Sequence, residues 1–446
     1  MNKINLELDH KTISLEKTVH GLIFLYIMTI PFQTLGFRFM GLVIGLPELL
    51  FLLLTPLAII HLIISGQKLW IDKLDLFAFA WLIVNIISGW QRGFDSIIVA
   101  ELIKRAYLVL LYMILKWIIS LEMIARIVKV IIFSSLMAAL TGIIGYLLGY
   151  LGIDTILSIT RPFPYGMKIA VQAKGFSPTP NMLASIIMIG VLFHLQKLNM
   201  NQITTKSKDY FILSILLLGF ILTFSKTVIC LLIGIILVLY FNYKLILSNT
   251  WRLIAQTTII TLFIVYIFGT HFIIAEKHQN VDFLKGDYIA GPALIETTNY
   301  SIFPSQYWSL KKISIEAINQ SIPWGLGPGK FNGFAHEFKK NDAYSTHVPY
   351  PDTHSTYLET LSENGLLGLI ALLGIIYYVV KYSRKIFNNQ SANKYFVACL
   401  PSIFIVIGIE AVSTDVMNFR HYWIVLILLV STYQKLKSTF SKSLNL

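Results

Sequence analysis

Charged residues are scarce in this chain: of its 446 residues only 13% are charged, whereas 56% are hydrophobic. Water-soluble globular proteins carry about 25% charged residues, so a soluble single-domain protein is excluded. The mean hydropathy of +0.69 agrees with this exclusion. Many apolar runs lack any charge, and with their flanks each approaches the roughly 20 residues that a helix needs to cross a bilayer. Examples are 210–223, 229–240, 254–268, 366–380 and 422–432.

Residue patterns for metal, disulfide and serine-hydrolase chemistry are missing as well. The two cysteines, Cys230 and Cys399, both fall inside apolar runs, which excludes a disulfide framework and a zinc site of paired cysteines. The chain has no His-Glu-x-x-His motif and no Gly-x-Ser-x-Gly elbow. We therefore expect no metal ion and no serine triad.

Polar breaks divide the apolar sequence into about twelve segments of spanning length, which predicts an all-α integral membrane protein. No internal repeat or low-complexity tract divides the chain, so residues 1–446 are predicted to form a single polytopic membrane domain. The predicted helices cover 21–37, 42–64, 75–90, 106–120, 127–152, 179–196, 210–224, 228–243, 253–272, 356–380, 395–414 and 418–434.

The excess of basic residues, 36 against 23 acidic ones, is spread over many short loops. A nucleic-acid surface would gather them on one stripe, so nucleic acid is not an expected partner. One alternate set of loops, taken with both termini, holds roughly twice as many lysines and arginines as the other, and the positive-inside rule then predicts that both termini are cytoplasmic.

The long segment 273–353, between predicted helices 9 and 10, lies outside on this topology, together with a shorter loop at 153–178. It mixes aromatic residues with Gly and Pro turn signals and includes a predicted short helix at Trp308–Asn319, which is typical of an ordered cap rather than a spacer. The run 325–329 lacks the spacing of a phosphate-binding loop and is predicted to form tight turns that bring the cap's backbone close to the membrane or a ligand.

A polar stretch that begins at Asp352 connects this loop to the tenth predicted helix, and it places His354 at the membrane surface. With an unperturbed pKa of about 6.5, a histidine there can act as a base near neutral pH. An interfacial polar cap of the helix is the alternative interpretation of the same residues. On helical spacing Tyr357 falls near the face of His354, whereas Glu363 points to the opposite face, so His354 and Glu363 are not expected to form one dyad.

This stretch resembles the signature of the O-antigen ligase and polymerase superfamily, in which a histidine followed by Ser or Asn opens a helix that reads Tyr-Leu, then Glu-x-Gly and a second glycine. Further pieces follow the family's order, and together the resemblance spans about 165–370. The matching residues are Gly175-Phe176, Pro180-Asn181, Leu183-Ala184, Ser225-Lys226, Gly325-Leu326-Gly327-Pro328-Gly329, His354-Ser355, Tyr357-Leu358, Glu363, Gly365 and Gly368.

The resemblance implies a glycosyltransferase of the bacterial cytoplasmic (inner) membrane, surrounded by membrane lipids. Such enzymes take a glycan from an undecaprenyl-pyrophosphate-linked donor on the outer side and join it to an acceptor hydroxyl. They use neither a metal cofactor nor a nucleotide sugar. The acceptor is a second lipid-linked glycan in a polymerase, and a lipid A core or a protein hydroxyl in a ligase, and the sequence leaves that choice open.

His354 and Lys226 are the candidate catalytic residues, because an acceptor hydroxyl needs a partner for its proton and a pyrophosphate leaving group needs fixed cations. Lys226 follows Ser225 where the family has Ser-Arg, which keeps the charge but loses the bidentate fork. Asn181 is predicted to cap the helix that follows Pro180.

The remaining candidates bind substrate. The family's arginine upstream of the glycine turn has no counterpart here, and three replacements stay open: Lys311, Lys312, or Arg420 approaching the same pocket together with His421. Arg161 and Lys174, in the shorter outer loop, either bind the lipid phosphate or contact anionic head groups. The carbohydrate is expected to rest against aromatic residues; the candidates are Trp308, Trp324 and Tyr344, with Tyr357 beside His354.

Two other classes of function compete with the enzyme. A transporter or flippase is favoured by the helix count and by Glu48, Lys116 and Glu410 inside predicted helices. A scaffold for polysaccharide assembly would tolerate the loss of His354. Paired half-repeats with broken helices, which many transporters show, are not found in the sequence, and the large outer cap suits an outer-face active site better.

Overall fold

The computed structural model describes residues 2–39, 42–161, 170–200, 207–243, 248–276, 289, 291–341, 352–387 and 397–443. These residues are mostly helical, in agreement with an all-α membrane protein. The helices are α1 (Asn2–Thr29), α2 (Leu46–Ile64), α3 (Lys73–Gln91), α4 (Ser96–Ile118), α5 (Leu121–Tyr150), α6 (Pro180–Met200), α7 (Ser207–Ile221), α8 (Thr227–Tyr243), α9 (Asn249–His271), α10 (Gln306–Ser321), α11 (Phe331–Asn341), α12 (Thr356–Phe387), α13 (Leu400–Glu410) and α14 (Arg420–Ser443).

Each of the twelve predicted segments contains a helix, and α10 and α11 belong to the predicted cap. Among the described helices, six are long and apolar enough to cross a membrane: α2, α3, α5, α6, α9 and α12. Twelve spans therefore stay a prediction. The predicted end of the first helix, at residue 37, is wrong, because α1 ends at Thr29 and a strand begins at Gly36.

Short antiparallel strands, which the sequence analysis did not predict, connect several helices. Strands β1 (Gly36–Phe39) and β2 (Leu42–Gly45) form one hairpin, and β3 (Ser158–Arg161) and β4 (Ala170–Ala173) form another pair. In the cap, β7 (Tyr300–Pro304) pairs with both β5 (Phe272–Glu276) and β6 (Ile295–Glu296). Pairing satisfies the backbone N–H and C=O groups that helices no longer satisfy in these connections.

The centre of the bundle is formed by α5 and α6, where small residues bring the helices close. A Cβ on Gly190 would overlap Ser135, and one on Gly219 would overlap Ala139. The Ser135 hydroxyl donates to the carbonyl of Ile186 at 2.9 Å. Close packing of small residues with an occasional interhelical hydrogen bond is the usual way in which membrane helices associate.

Helix α12 is broken at Gly365, whose φ of 66° and ψ of −163° are not helical. The glycine run of the cap packs against this break. The Leu326 N–H donates to the Ser362 carbonyl at 2.7 Å, and the Gly327 N–H donates to the Glu363 carbonyl at 2.9 Å. In the other direction, the Leu366 N–H donates to the Pro323 carbonyl at 3.0 Å. We call these three bonds the main-chain clasp. The predicted tight turns are confirmed, but the backbone they bring close belongs to α12.

The ionisable residues noted inside predicted helices are paired with other protein groups. Glu48 forms an ion pair with Arg420, and Lys116 pairs with the fully buried Asp75. Glu410 accepts hydrogen bonds from the hydroxyls of Ser185 and Tyr422. These charges thus have structural partners across the bundle, as buried charges require.

Candidate functional site

His354 lies just before α12 in the left-handed region, with a φ of 43°. A non-glycine residue is held there only when its surroundings compensate the strain. Asp352 does so, because its Oδ1 accepts from the His354 backbone N–H at 2.7 Å and lies 2.9 Å from its Nδ1. With Nδ1 bonded to the carboxylate, the neutral ring carries its proton on Nδ1 and leaves the lone pair of Nε2 available.

Tyr307, at the start of α10, joins the two candidate catalytic residues. Its ring centroid lies 4.6 Å from that of His354 and 4.8 Å from the amino nitrogen of Lys226. The structure therefore brings His354 and Lys226, 128 positions apart in the sequence, into contact with one aromatic ring. Tyr307 was not among the predicted site residues, since its place depends on how the cap folds back.

Lys226 stands in the turn between α7 and α8, where its amino group donates to the carbonyl of Thr270 at 3.3 Å. Ser305 donates to the same carbonyl at 2.7 Å, which ties the start of α10 to the end of α9. Much of the Lys226 side chain is exposed, yet protein atoms crowd its amino group, and this loss of water lowers the pKa of Lys226 to about 8.

The turn that presents Lys226 is held by Asn181, which belongs to the Pro180-Asn181 pair of the family resemblance. Phe224 has a φ of 48°, and the Ser225 hydroxyl lies 2.9 Å from Oδ1 of Asn181. The prediction that Asn181 caps α6 is wrong, because Thr179 Oγ1 accepts from the Met182 N–H instead. Asn181 serves to connect the start of α6 to the Ser225 turn.

Lys311 and Lys312 are neighbours on α10 but point in different directions. Lys312 is exposed. The Lys311 amino group turns towards the bundle and donates to the carbonyl of Val412 at 2.8 Å. Burial lowers the pKa of Lys311 to about 8. Of the two lysines, Lys311 is thus the one that adds positive charge on the bundle side of the cap.

Trp308 packs edge-on against His271, with ring centroids 6.5 Å apart, and lies 5.4 Å from the Phe272 ring. Its indole nitrogen is buried without a hydrogen-bond partner among the described residues. Trp324 lies beside the main-chain clasp and is 44% exposed. Both indoles are therefore part of the cap, and the indole N–H of Trp308 has no hydrogen-bond acceptor among the described residues.

The other predicted residues have separate surroundings. The hydroxyl of Tyr357 donates to the Gly408 carbonyl at 3.0 Å. Arg420 binds Glu48 and Gln33 and lies over the ring of Tyr107. Lys174 follows β4 and is half-buried, which lowers its pKa. The side chains of Arg161 and Tyr344 lie outside the described residues.

Arg105 lies one residue before the predicted helix 106–120, but in the structure it is within α4 and almost completely buried. Its guanidinium lies 2.7 Å from a Glu363 oxygen and 3.5 Å from a Glu359 oxygen, and donates to Asn364 at 3.2 Å. Glu363 therefore faces Arg105 and not His354, which confirms that these two do not form a dyad. A buried glutamate in the signature was a signal that a cation partner had to exist.

Asp415 extends this charged cluster towards the His354 turn. It accepts from the Met417 N–H at 3.2 Å, and its Oδ1 lies 3.5 Å from the hydroxyl of Thr356. Burial raises the pKa of Asp415 to about 6, against the attraction of Arg105. One deeply buried arginine thus pairs with Glu359 and Glu363, and its charge also acts on Asp415.

Residues 211–373 match the family model described as O-Antigen ligase. The matched range contains the Ser225-Lys226 turn, the glycine run of the cap and the signature that begins at His354. The predicted resemblance to this superfamily is therefore confirmed over the matched residues. No curated protein sequence matches the chain.

Proposed function

We propose, because residues 211–373 match the O-antigen ligase family model, that the chain transfers a glycan from an undecaprenyl-pyrophosphate-linked donor to an acceptor hydroxyl. The reaction takes place on the outer face of the bacterial inner membrane, with both termini in the cytoplasm. The observation that carries this proposal is the contact of Tyr307 with both His354 and Lys226. A base and a cation are thereby held within one small region under the cap.

His354 acts as the general base in this scheme. Its Nε2 takes the proton of the acceptor hydroxyl as that oxygen attacks the anomeric carbon of the donor sugar. Asp352 holds the imidazole in the required tautomer and stabilises the imidazolium that forms. The bond from the anomeric carbon to the phosphate oxygen breaks, and its electron pair leaves with the pyrophosphate. Direct displacement inverts the anomeric centre, and a covalent glycosyl-enzyme would contradict this scheme.

Lys226 and Lys311 stabilise the departing pyrophosphate. Both are cations at neutral pH, and each amino group donates to a backbone carbonyl, at Thr270 and Val412, so neither is neutralised by a carboxylate in those contacts. Cations fixed before the reaction stabilise charge that develops on a leaving group. The scheme uses these two lysines in the place of the family's arginines and requires no metal ion.

The sugar is proposed to rest against the aromatic residues of the cap. The buried indole N–H of Trp308, which has no partner among the described residues, is available to a sugar hydroxyl or a phosphate oxygen. Aromatic rings offer the large apolar faces that carbohydrates pack against, with a polar group at one end. Trp324 lies further along the cap, beside the main-chain clasp.

The transport alternative has weaker support in this structure. Glu48, Lys116 and Glu410 gave that alternative its sequence evidence, and each is engaged by another protein side chain. A relay or coupling site needs groups that are free to bind an ion or substrate. The partners of these three residues explain their presence without a transported species.

The test is a gel and mass analysis of surface and lipid-linked glycans in cells that lack the protein and are complemented with wild type or His354→Ala. Single repeats in place of a ladder indicate a polymerase, and long chains left on the carrier indicate a ligase. His354→Ala should reproduce the defect while reaching the membrane at the wild-type level. Unchanged glycans, or full rescue by His354→Ala, would overturn the proposal.

A further inference from the structure

An apolar groove runs along α12, between that helix and α13 and α14. Its volume is about 440 Å³, which lies within the range of 300–1,000 Å³ that is usual for small-molecule sites. Thr356 lines the groove at the start of α12, and Phe387 lines it at the other end of the helix. The groove wall therefore includes residues from both ends of α12.

The polar groups in the wall are already satisfied by the protein along most of the groove. The hydroxyls of Thr356 and Tyr357 donate to the carbonyls of Thr414 and Gly408, both at 3.0 Å, and that of Tyr422 donates to Glu410. A ligand in this groove meets hydrocarbon and few free hydrogen-bonding groups. Its contents must be apolar and elongated, because burial of apolar surface is the main attraction that the wall offers.

One end of the groove opens beside the candidate active site. Ala411 is part of the wall, its carbonyl accepts from the Thr356 N–H at 3.0 Å, and the next residue, Val412, accepts from the amino group of Lys311 at 2.8 Å. His354 precedes Thr356 by two positions. A chain that leaves the groove at this end thus meets a cation and the proposed base at once.

We infer that this groove holds the polyisoprenoid chain of the lipid-linked donor, with the pyrophosphate at the end where Lys311 lies. The inference rests on the proposed function and deepens it, because it gives the carrier's tail a path through α12, α13 and α14. It explains why the hydroxyls of Thr356 and Tyr357 beside the mouth are already bonded to the protein. It also explains why the half-buried Lys311 stands at the mouth.

The opposite end of the groove suggests the competing occupant. Arg384 lines it there, next to Ser383, whose buried hydroxyl has no partner in the part of the chain that the structure describes. An anionic phospholipid with its head group at Arg384 and one acyl chain in the groove would use the same wall. The chemistry at the mouth favours the isoprenoid, and the test separates the two lipids.

The experiment uses the full chain in phosphatidylcholine nanodiscs and measures the binding of undecaprenyl pyrophosphate and of geranyl pyrophosphate. Ile376→Trp narrows the groove, and Gly408→Leu narrows it from the facing helix, where an added Cβ meets only the Tyr357 hydroxyl at 3.9 Å. Leu373→Trp is the matched control, since Leu373 lies three residues from Ile376 and is 51% exposed.

Both groove variants should lower the affinity for undecaprenyl pyrophosphate at least about tenfold, because the displaced isoprene units lose apolar contacts. Geranyl pyrophosphate should bind Ile376→Trp as it binds wild type, since Ile376 lies twenty positions along the chain from Thr356 at the groove mouth. Leu373→Trp should change neither affinity. A wild-type melting temperature in the variants excludes misfolding as the cause.

Three other results would be decisive in different ways. If wild type and both groove variants bind undecaprenyl pyrophosphate equally, the groove does not hold the isoprenoid chain, but the proposed function still stands. Failure of wild type to bind either pyrophosphate would overturn the proposed function itself. Loss of co-purified phosphatidylglycerol from Ile376→Trp, with undecaprenyl pyrophosphate binding unchanged, would assign the groove to a phospholipid.

Discussion

At the scale of single residues, Asp352 decides which nitrogen of His354 can accept a proton. Both the backbone N–H and the Nδ1 of His354 lie within hydrogen-bonding distance of one Asp352 oxygen. The sequence identified His354 from its motif and noted Asp352 as a neighbour. The left-handed turn that gives the carboxylate both contacts depends on local backbone geometry, which residue type alone does not reveal.

Asp352→Asn should lower glycan transfer about 10²-fold with little change in donor affinity, because an amide neither holds the tautomer nor stabilises the imidazolium. Initial rates with purified lipid-linked donor, analysed as kcat and KM, check this. Asp154→Asn, at an exposed loop position, is the control and should behave as wild type. An effect on KM alone would contradict the orienting role.

The lysines near the pyrophosphate position predict a pH dependence. Burial lowers the pKa values of Lys226 and Lys311 to about 8, so both amines are protonated below pH 8 and lose their charge as the pH rises through it. Undecaprenyl pyrophosphate should therefore bind more weakly at pH 9 than at pH 7. The double variant Lys226→Arg and Lys311→Arg should bind equally at both pH values, as measured by titration in nanodiscs.

At the scale of elements, the positions of the helices follow from hydrophobic runs, and all twelve predicted segments contain one. The predicted cap helix at Trp308–Asn319 is confirmed as α10. The main-chain clasp and the burial of Arg105 could not be predicted from the sequence, because both depend on contacts between segments more than 30 positions apart in the chain. An arginine between two apolar runs looks like a loop residue until its glutamate partners are known.

Gly365→Ala should destabilise the protein more than an ordinary glycine substitution. Its φ of 66° is strained for any residue with a side chain, and the added Cβ would overlap the Pro323 carbonyl. We expect a lower melting temperature and easier proteolysis of the cap. Gly333→Ala in α11, where a Cβ meets nothing within 4 Å, is the control; equal melting temperatures for the two variants would show that the clasp contributes nothing.

Arg105→Ala and Lys104→Ala change adjacent basic residues with very different surroundings. Removing Arg105 leaves buried carboxylates unpaired, which costs about 3–5 kcal/mol. Lys104 is partly exposed in its pair with Glu101, and pairs that face solvent contribute about 0–1 kcal/mol. Detergent-solubilised protein should show a large loss of thermal stability in the first variant and almost none in the second. Comparable losses would mean that the Arg105 cluster is not buried as described.

At the scale of the whole molecule, the arrangement in the membrane predicts which residues reagents can reach. With the cap outside, a cysteine placed at Asn319 should react with a membrane-impermeant maleimide in intact spheroplasts, whereas one at Lys68 should react only after permeabilisation. Both positions are exposed, and the native Cys230 and Cys399 are buried. The reverse labelling pattern would invert the topology and place the His354 site on the cytoplasmic side.

The main-chain clasp has a consequence for how such a protein can diverge. Its three hydrogen bonds involve only N–H and C=O groups, so this part of the attachment of the cap to α12 makes no demand on cap side chains. Substitutions on the outward faces of α10 and α11 can then change which sugars are recognised without detaching the cap. The glycines at the break meet a backbone requirement that other residues do not meet, whereas outward-facing cap positions away from the candidate site carry no such requirement.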